Sequence, residues 1–323
     1  MTTSAAITPQ QPIGSGFGAT TTADEVLEGV DLTGRLAVVT GGYSGIGIEA
    51  TRALAKAGAR VVVPARRPDV AREQLSEIDG VEVDALDLGD LESVRAFADR
   101  FLASGRTIDM VIDSAAIMAC PETRVGPGWE AQFATNHLGH FALVNRLWPA
   151  LEPGGARVVS VSSTGHHRTP IRWDDIDFAT DYEKWTAYGQ AKTANSLFAV
   201  QLDALGRDSG VRAFTLNPGG ILTPLQRHLT VEEQVDMGWI DADGNTLNPG
   251  FKSTQAGAAT QTWAAASPQL DGLGGVYLED CEVALPWAEE VRYSGVKDWA
   301  IDPEQAARLW ALSAERTGVD AFA

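Results

Sequence analysis

From Gly34 to about Val161, strand-length apolar runs alternate with helical stretches, and this alternation limits the possible folds more than any other feature. The runs fall at 36–40, 60–63, 81–86, 108–112 and 157–161. Between them, residues 45–57 form a helical stretch that ends at Gly58, a residue suited to the left-handed position that stops a helix. A later stretch, 91–102, places Leu91, Val94, Phe97, Ala98 and Phe101 on one face. Such alternation demands a parallel sheet with right-handed crossovers and helices on both faces. Beyond Val161 the spacing predicts a long helix around 188–205, a sixth strand at 211–216 and a seventh at 275–278. The expected fold class is therefore α/β: a single doubly wound parallel sheet of about seven strands. Because the sheet continues nearly to the end of the chain, one domain over 34–323 is favoured over two.

Residues 1–33 precede that domain as an amino-terminal arm, its first 20 or so residues flexible on composition, with a short helix capped by Thr22 and Glu25. Between Pro224 and about Phe251 the periodicity fails, and an irregular segment of that length reads as a substrate lid. The 323 residues are 44% hydrophobic and 21% charged, a balance that supports a large core without staples. Cys120 and Cys281 have no spacing for a disulfide framework or a zinc site, which points to a reducing, cytoplasmic compartment. With 25 Lys and Arg against 43 Asp and Glu, the net charge of −18 argues against nucleic acid as a partner. The amino terminus is polar and no 18-residue apolar run occurs, so neither secretion nor a membrane span is expected. No carboxylate pattern completes a metal site with His137 and His140 or with His166 and His167. Asp174, Asp175 and Asp177 are read as facing solvent, and among the tryptophans only Trp173, Trp185 and Trp239 flank the presumed cleft.

Thr40-Gly41-Gly42-Tyr43-Ser44-Gly45-Ile46-Gly47 leaves the first strand and opens the first helix. Gly41 allows a tight exit, Gly45 lets backbone N–H groups approach a pyrophosphate, and Gly47 lets helix and strand pack closely, the Rossmann-type fingerprint. The positive end of the helix then faces the anion. After the second strand, where an acid would bind the ribose 2′-hydroxyl of NAD, stand Arg66 and Arg67. Guanidinium groups suit a 2′-phosphate, so NADP(H) is favoured over NAD(H), although a pair of solvated arginines is the alternative, more so for Arg67. Asp87 and Leu88 are placed to meet the adenine, and Asp87 is equally suited to cap the next helix.

Tyr188 and Lys192 lie four apart, hence on one face of a helix, and a nearby ammonium lowers a phenol's pKa toward the range where it exchanges protons. Ser162 and Ser163 close the fifth strand at the sheet edge where ligands bind. Asn136 lies inside an apparent helix, where its amide is either functional or a kink residue. In this order the motifs TGxxxGxG, Thr135-Asn136-His137-Leu138-Gly139-His140-Phe141, Ser162-Ser163, YxxxK and Asn217-Pro218-Gly219 resemble the short-chain dehydrogenases/reductases over roughly residues 34–278. Within them, residues 135–141, 188–198 and 276–281 look like the retinol dehydrogenase and WW-domain-containing oxidoreductase group.

The resemblance implies hydride transfer between a nicotinamide cofactor and a small carbonyl or alcohol substrate, largely apolar in its pocket. It makes Tyr188 the proton donor or acceptor, Ser163 the residue that orients the substrate oxygen, Lys192 the nicotinamide-ribose ligand that lowers the phenol pKa, and Asn136 the holder of a relay water. Pro218, Gly219, Ile221 and Thr223 would border the nicotinamide, and Ala115, past the fourth strand, belongs with the cofactor-facing positions. One departure is Asp113-Ser114-Ala115-Ala116 where the family carries Asn-Asn-Ala-Gly, which puts a carboxylate where an amide normally braces the sheet. A lesser one is Ala191, where serine is common. The rival readings are a nucleotide-binding sensor or scaffold without turnover and an NAD-dependent alcohol dehydrogenase, and a homo-oligomer is expected over a monomer.

Overall fold

The computed structural model describes residues 8–291 and 293–323. Its first strand, β1 (Leu36–Thr40), is buried at every position, as suits a strand covered on both faces. There follow α1 (Gly45–Lys56), β2 (Arg60–Ala65), α2 (Pro68–Gln74), β3 (Val81–Ala85), α3 (Leu91–Ala103) and β4 (Met110–Asp113). A hairpin of β5 (Arg124–Val125) and β6 (Trp129–Glu130) leads into α4 (Ala131–Phe133), a π-helical stretch at Ala134–Leu138, and α5 (Gly139–Leu151). The chain continues through β7 (Arg157–Val161), α6 (Lys184–Gly206), β8 (Arg212–Asn217), α7 (Val231–Asp236) and α8 (Thr254–Ala266). It ends with β9 (Tyr277–Glu279), β10 (Glu282–Val283) and α9 (Pro303–Thr317).

The main sheet runs β3-β2-β1-β4-β7-β8-β9-β10. All its pairings are parallel except that of β9 with β10. The strand order therefore reverses between β1 and β4, and the crevice beyond their carboxyl ends is where such a sheet binds ligands. The sheet has eight strands rather than seven because Asp280 and Cys281, with φ of 53° and 59°, turn β9 back on itself. That conformation normally calls for Asn-Gly or Asp-Gly, so the hairpin has no signature in the sequence.

Strand alternation divides the core. Ala37, Val39, Val61 and Val63 pack with Leu54 of α1 and Trp263 of α8. Leu36, Val38, Val62 and Val111 pack instead with Phe97 of α3 and Phe141 and Leu147 of α5.

Several expectations shift in detail. The fourth strand starts at Met110 rather than at Ile108, whose N–H donates to Ala150 O at 2.8 Å, off the ladder. The long helix begins four residues before Tyr188, because the Glu183 carboxylate accepts from Trp185 and Thr186 N–H and caps it there. The arm is not loose over its described part, residues 8–20. Gln10 bonds the backbone of Tyr277 and Ala284, and the Glu282 carboxylate accepts from the N–H groups of Ile13, Gly14 and Ser15 at 2.7–2.8 Å. The arm thus covers the β9–β10 edge, a contact no local composition encodes. Residues 1–7, the start of the expected flexible arm, lie outside the described residues. Asp177 does not face solvent either: both of its oxygens accept from Arg316 of α9, at 2.7 and 2.9 Å. Asp175 folds back onto the N–H of Ala179 at 2.7 Å, and Asp174 is exposed.

Candidate active site

Gly41, Gly45 and Gly47 shape the turn after β1, and space explains each. Gly41 (φ +67°) has no room for a side chain, since a Cβ there would lie 2.9 Å from Ala115 Cα. At Gly47 it would lie 2.3 Å from Gly41 O, and at Gly45 (φ +55°) it would meet Thr223 at 3.3 Å. The cradle is therefore bounded by Ala115 past β4 and Thr223 past β8, with the first turn of α1 opening into it. Tyr43 and Ile46 lie half-buried against the core, and Ser44 is the N-cap residue of α1. Such a cradle, walled by backbone where any side chain would intrude, fits a pyrophosphate.

The other cofactor-facing candidates ring this turn. Ile221 is buried against Gly257 and Ile46, and Gly219 (φ +95°) faces Lys252, which pairs with Asp280 at 2.5 Å. Pro218 leads into that turn, where Gly219 N–H donates to Asn217 Oδ1 at 3.1 Å. Arg66 and Arg67 are exposed directly after β2. Leu88 is buried among α3 and α5, with its carbonyl closed over Gly139. Asp87 accepts from Gly89 N–H at 2.9 Å, while Asp90 caps α3, so the cap belongs three residues later than the alternative reading of Asp87 allowed.

Strand β7 delivers the serines. Ser162 Oγ turns into α6 and donates to Lys192 O at 2.8 Å, which leaves Ser163 to face the cleft. Ser163 Oγ accepts from Gly165 N–H at 3.0 Å and hydrogen-bonds the Tyr188 phenol. Gly165 was not among the expected residues, yet a Cβ there would lie 2.9 Å from the Tyr188 ring. His166 supports the serine from behind: its Nδ1 is 2.6 Å from Ser163 O and its Nε2 accepts from Lys297 N–H at 3.2 Å. Lys192 Nζ donates to Val161 O at 2.8 Å and stands 5.6 Å from the centroid of the Tyr188 ring.

Burial governs the charges of this pair. It pushes Tyr188 up to about 12, opposed by the Ser163 hydrogen bond, and draws Lys192 down to about 7. The expected depression of the phenol by Lys192 is not what dominates here. Tyr188 holds its proton across the neutral range, while the ammonium is easily discharged.

Asn136 lies in the π-helical stretch, and its amide is bonded at both ends: Oδ1 accepts from Ile117 N–H and Nδ2 donates to Ile117 O, both at 2.9 Å. The compensation missing from the sequence is this clamp on the loop after β4. The Asn136 carbonyl accepts from His140 Nδ1 at 2.9 Å, and His140 Nε2 lies 2.9 Å from Thr40 Oγ1. Thr40 in turn accepts from the N–H of Ser114 and Ala115, at 3.0 and 3.1 Å. Thr40 and His140 thus hold both sides of the loop, and only tertiary contact reveals them.

Asp113 stands beside this network without joining it. Both carboxylate oxygens are buried with no hydrogen-bond partner, and the nearest ion-pairing atom, His140 Nε2, is 3.8 Å away. Burial raises the Asp113 carboxyl well above its usual range and draws His140 down to about 4, so burial disfavours the charged form of each group. Asp113 therefore does not supply the bracing amide's hydrogen bonds. Because its folded pKa is raised, its contribution is full below the unfolded value of about 3.9 and is lost as pH rises through the folded pKa. Asp113→Asn is accordingly expected to raise stability at pH 7 by about 1 kcal/mol or more, with the gain shrinking toward pH 4. Urea unfolding at several pH values checks this, and a pH-independent difference would contradict it.

The 224–251 segment carries a short helical turn, Pro224–His228, then α7. Thr223 with Gln226 and Thr230 with Glu233 form reciprocal capping boxes, so the segment is partly helical rather than irregular throughout. From this segment Leu229 is buried with Tyr188, Met118 and Ala119, and Leu225, Met237 and Trp239 pack around them. Trp185 meets Trp239 edge-on at 6.0 Å, and Lys184 pairs with Glu233. Trp185 and Trp239 thus reach the cleft, whereas Trp173 packs toward α9, its indole N–H donating to Gln305 at 2.8 Å. Among the described residues, no group of three His, Cys, Asp or Glu could hold a metal ion, and no helix is long and apolar enough to cross a membrane.

A sequence profile described as short chain dehydrogenase matches residues 35–234. A "Probable oxidoreductase" of Streptomyces lividans is 45% identical over 296 residues, covering 88% of this chain and 98% of that protein. "Retinol dehydrogenase 12" of Mus musculus is 36% identical over 297 residues, 90% of this chain and 88% of that one, in line with the narrower resemblance. The crystal structure of a putative uncharacterized protein from Mycobacterium Paratuberculosis superposes with a TM-score of 0.71 at 31% identity, over 94% of this chain and 99% of that one. With matches of this extent and a sheet of this order, the chain belongs to the short-chain dehydrogenase/reductase family, whose members bind a nicotinamide nucleotide, and is an oxidoreductase.

Proposed function

We propose that the protein interconverts a ketone or aldehyde and an alcohol with NADP(H), Tyr188 exchanging the proton with the substrate oxygen. The observation that carries this reading is Tyr188 buried beneath an apolar wall of Met118, Leu229, Trp185 and Trp239, with Ser163 beside its hydroxyl and burial favouring the protonated phenol. A neutral phenol in a site that excludes water is a competent general acid toward an oxygen gaining negative charge. The cofactor, when bound, supplies the hydride or accepts it. Ser163, already directed at the phenol, orients the substrate oxygen beside it, and Lys192 holds the nicotinamide ribose. Asn136, which clamps the loop after β4 through Ile117, is the residue beside which a relay water would be held. Residues 224–251 act as the lid that encloses an apolar substrate. Two buried free thiols, Cys120 and Cys281, accord with a reducing cytoplasm.

The test follows NADPH and NADH absorbance over a panel of bulky aldehydes and ketones, with Tyr188→Phe run in parallel. Turnover that depends on the Tyr188 hydroxyl supports the proposal. Cofactor binding without turnover across the panel favours a sensor instead. Arg66→Ala is expected to weaken NADPH binding by about 10–100-fold, the loss of a charge-assisted hydrogen bond to phosphate, and to leave NADH within about twofold. Equal losses for both cofactors would remove the case for a 2′-phosphate ligand.

A further inference from the structure

Three guanidinium groups share the carboxyl edge of the sheet without a carboxylate partner. Arg66 and Arg67 follow β2, whereas Arg227 comes from the first turn of the 224–251 segment. Arg227 Nη1 donates to Pro224 O at 3.1 Å and Nη2 reaches Ala116 O at 3.5 Å. Those contacts suspend it over the loop after β4, beside the glycine cradle that Ala115 and Thr223 bound. Besides burial, the largest cause, the nearby Arg66 lowers the proton affinity of Arg227, Tyr43 and Cys120 raise it, and Arg67 lowers it more weakly.

The protein carries 43 acidic residues, and Arg35, Arg60, Arg95, Arg157 and Arg212 each pair with one or more of them. Among the described residues, none pairs with Arg66, Arg67 or Arg227. Like charges converging in so acidic a chain repel one another unless an anion joins them.

We infer that Arg227 is a third guanidinium ligand, beside Arg66 and Arg67, for a phosphate monoester dianion, the 2′-phosphate of the cofactor's adenosine ribose. The inference rests on the NADP(H) reading and extends the recognition site into the lid. The residue after β2 faces the ribose 2′ position in this fold, and Arg227 reaches the same edge of the sheet over Ala116 O, past β4. A pyrophosphate, by contrast, is served by the N–H groups of the cradle and the end of α1. Fork-shaped donors arriving from two sides match the three oxygens of a monoester.

Calorimetric titration with 2′,5′-ADP and 5′-AMP separates the possibilities, using wild type, Arg66→Ala, Arg227→Ala and Arg227→Lys. For Arg227→Ala the expected result is an affinity for 2′,5′-ADP about 10–100-fold weaker, with 5′-AMP unchanged, and Arg227→Lys recovering part of the loss. If Arg66→Ala weakens 2′,5′-ADP while Arg227→Ala does not, the role of Arg227 is overturned and the NADP(H) reading stands. Equal losses for both probes also overturn it, because the 2′-phosphate would not be what Arg227 contacts. A wild type that fails to distinguish the probes removes the NADP(H) reading itself, and this inference with it.

Discussion

Tyr188→Phe is expected to lower kcat by about 10²–10⁴-fold, the usual worth of a positioned proton donor, while cofactor affinity stays within about twofold. The substitution removes one hydroxyl and keeps the ring. That ring lies against Gly165 and meets Trp185 edge-on at 6.3 Å, and phenylalanine preserves both contacts. The hydroxyl's hydrogen bond to Ser163 is lost, but the serine still accepts from Gly165 N–H and keeps its place. A fall in kcat and kcat/KM together, with KM little changed, is the signature of an interaction made in the transition state. Steady-state kinetics with a fluorescence titration of the cofactor measure both quantities. Wild-type turnover in the variant would assign the proton to another group.

Gly47→Ala is expected to reduce stability by about 1–3 kcal/mol, the cost of overpacking a well-packed site, and to weaken NADPH and NADH alike. The added methyl would lie 2.3 Å from Gly41 O, 2.8 Å from Gly41 C and 3.2 Å from Gly42 Cα. All three atoms are backbone of the cradle, so no side chain can swing aside. Relief requires the turn itself to move, and with it the backbone N–H groups that line the cradle. Gly154→Ala is the matched control, since a Cβ there meets nothing within 4 Å. Thermal unfolding and cofactor titration of the two variants check the expectation. Equal melting temperatures and affinities would show that the cradle tolerates a wider turn.

What the sequence determined by itself was set by local physics. Buried parallel strands need unbroken apolar runs and helices need a 3.6-residue period, so β1, β2, β3, β7 and the helices α1 and α3 were legible within a few residues. Spacing alone put Tyr188 and Lys192 on one face of α6, and the glycines announced a turn with no room for side chains. The tertiary structure decided whatever depends on partners distant in the chain. It brought the arm onto the β9–β10 edge through Gln10 and Glu282, and closed Leu229 and Trp239 over Tyr188. It gave the Asn136 amide its counterpart in Ile117, and left Asp113 buried without one. The charge state of Tyr188 belongs to this second group as well. A lysine four residues away promised a lowered pKa, yet desolvation, which only packing creates, raised it to about 12. Local propensity follows from each residue and its near neighbours, whereas burial and hydrogen-bond satisfaction are properties of the assembled whole.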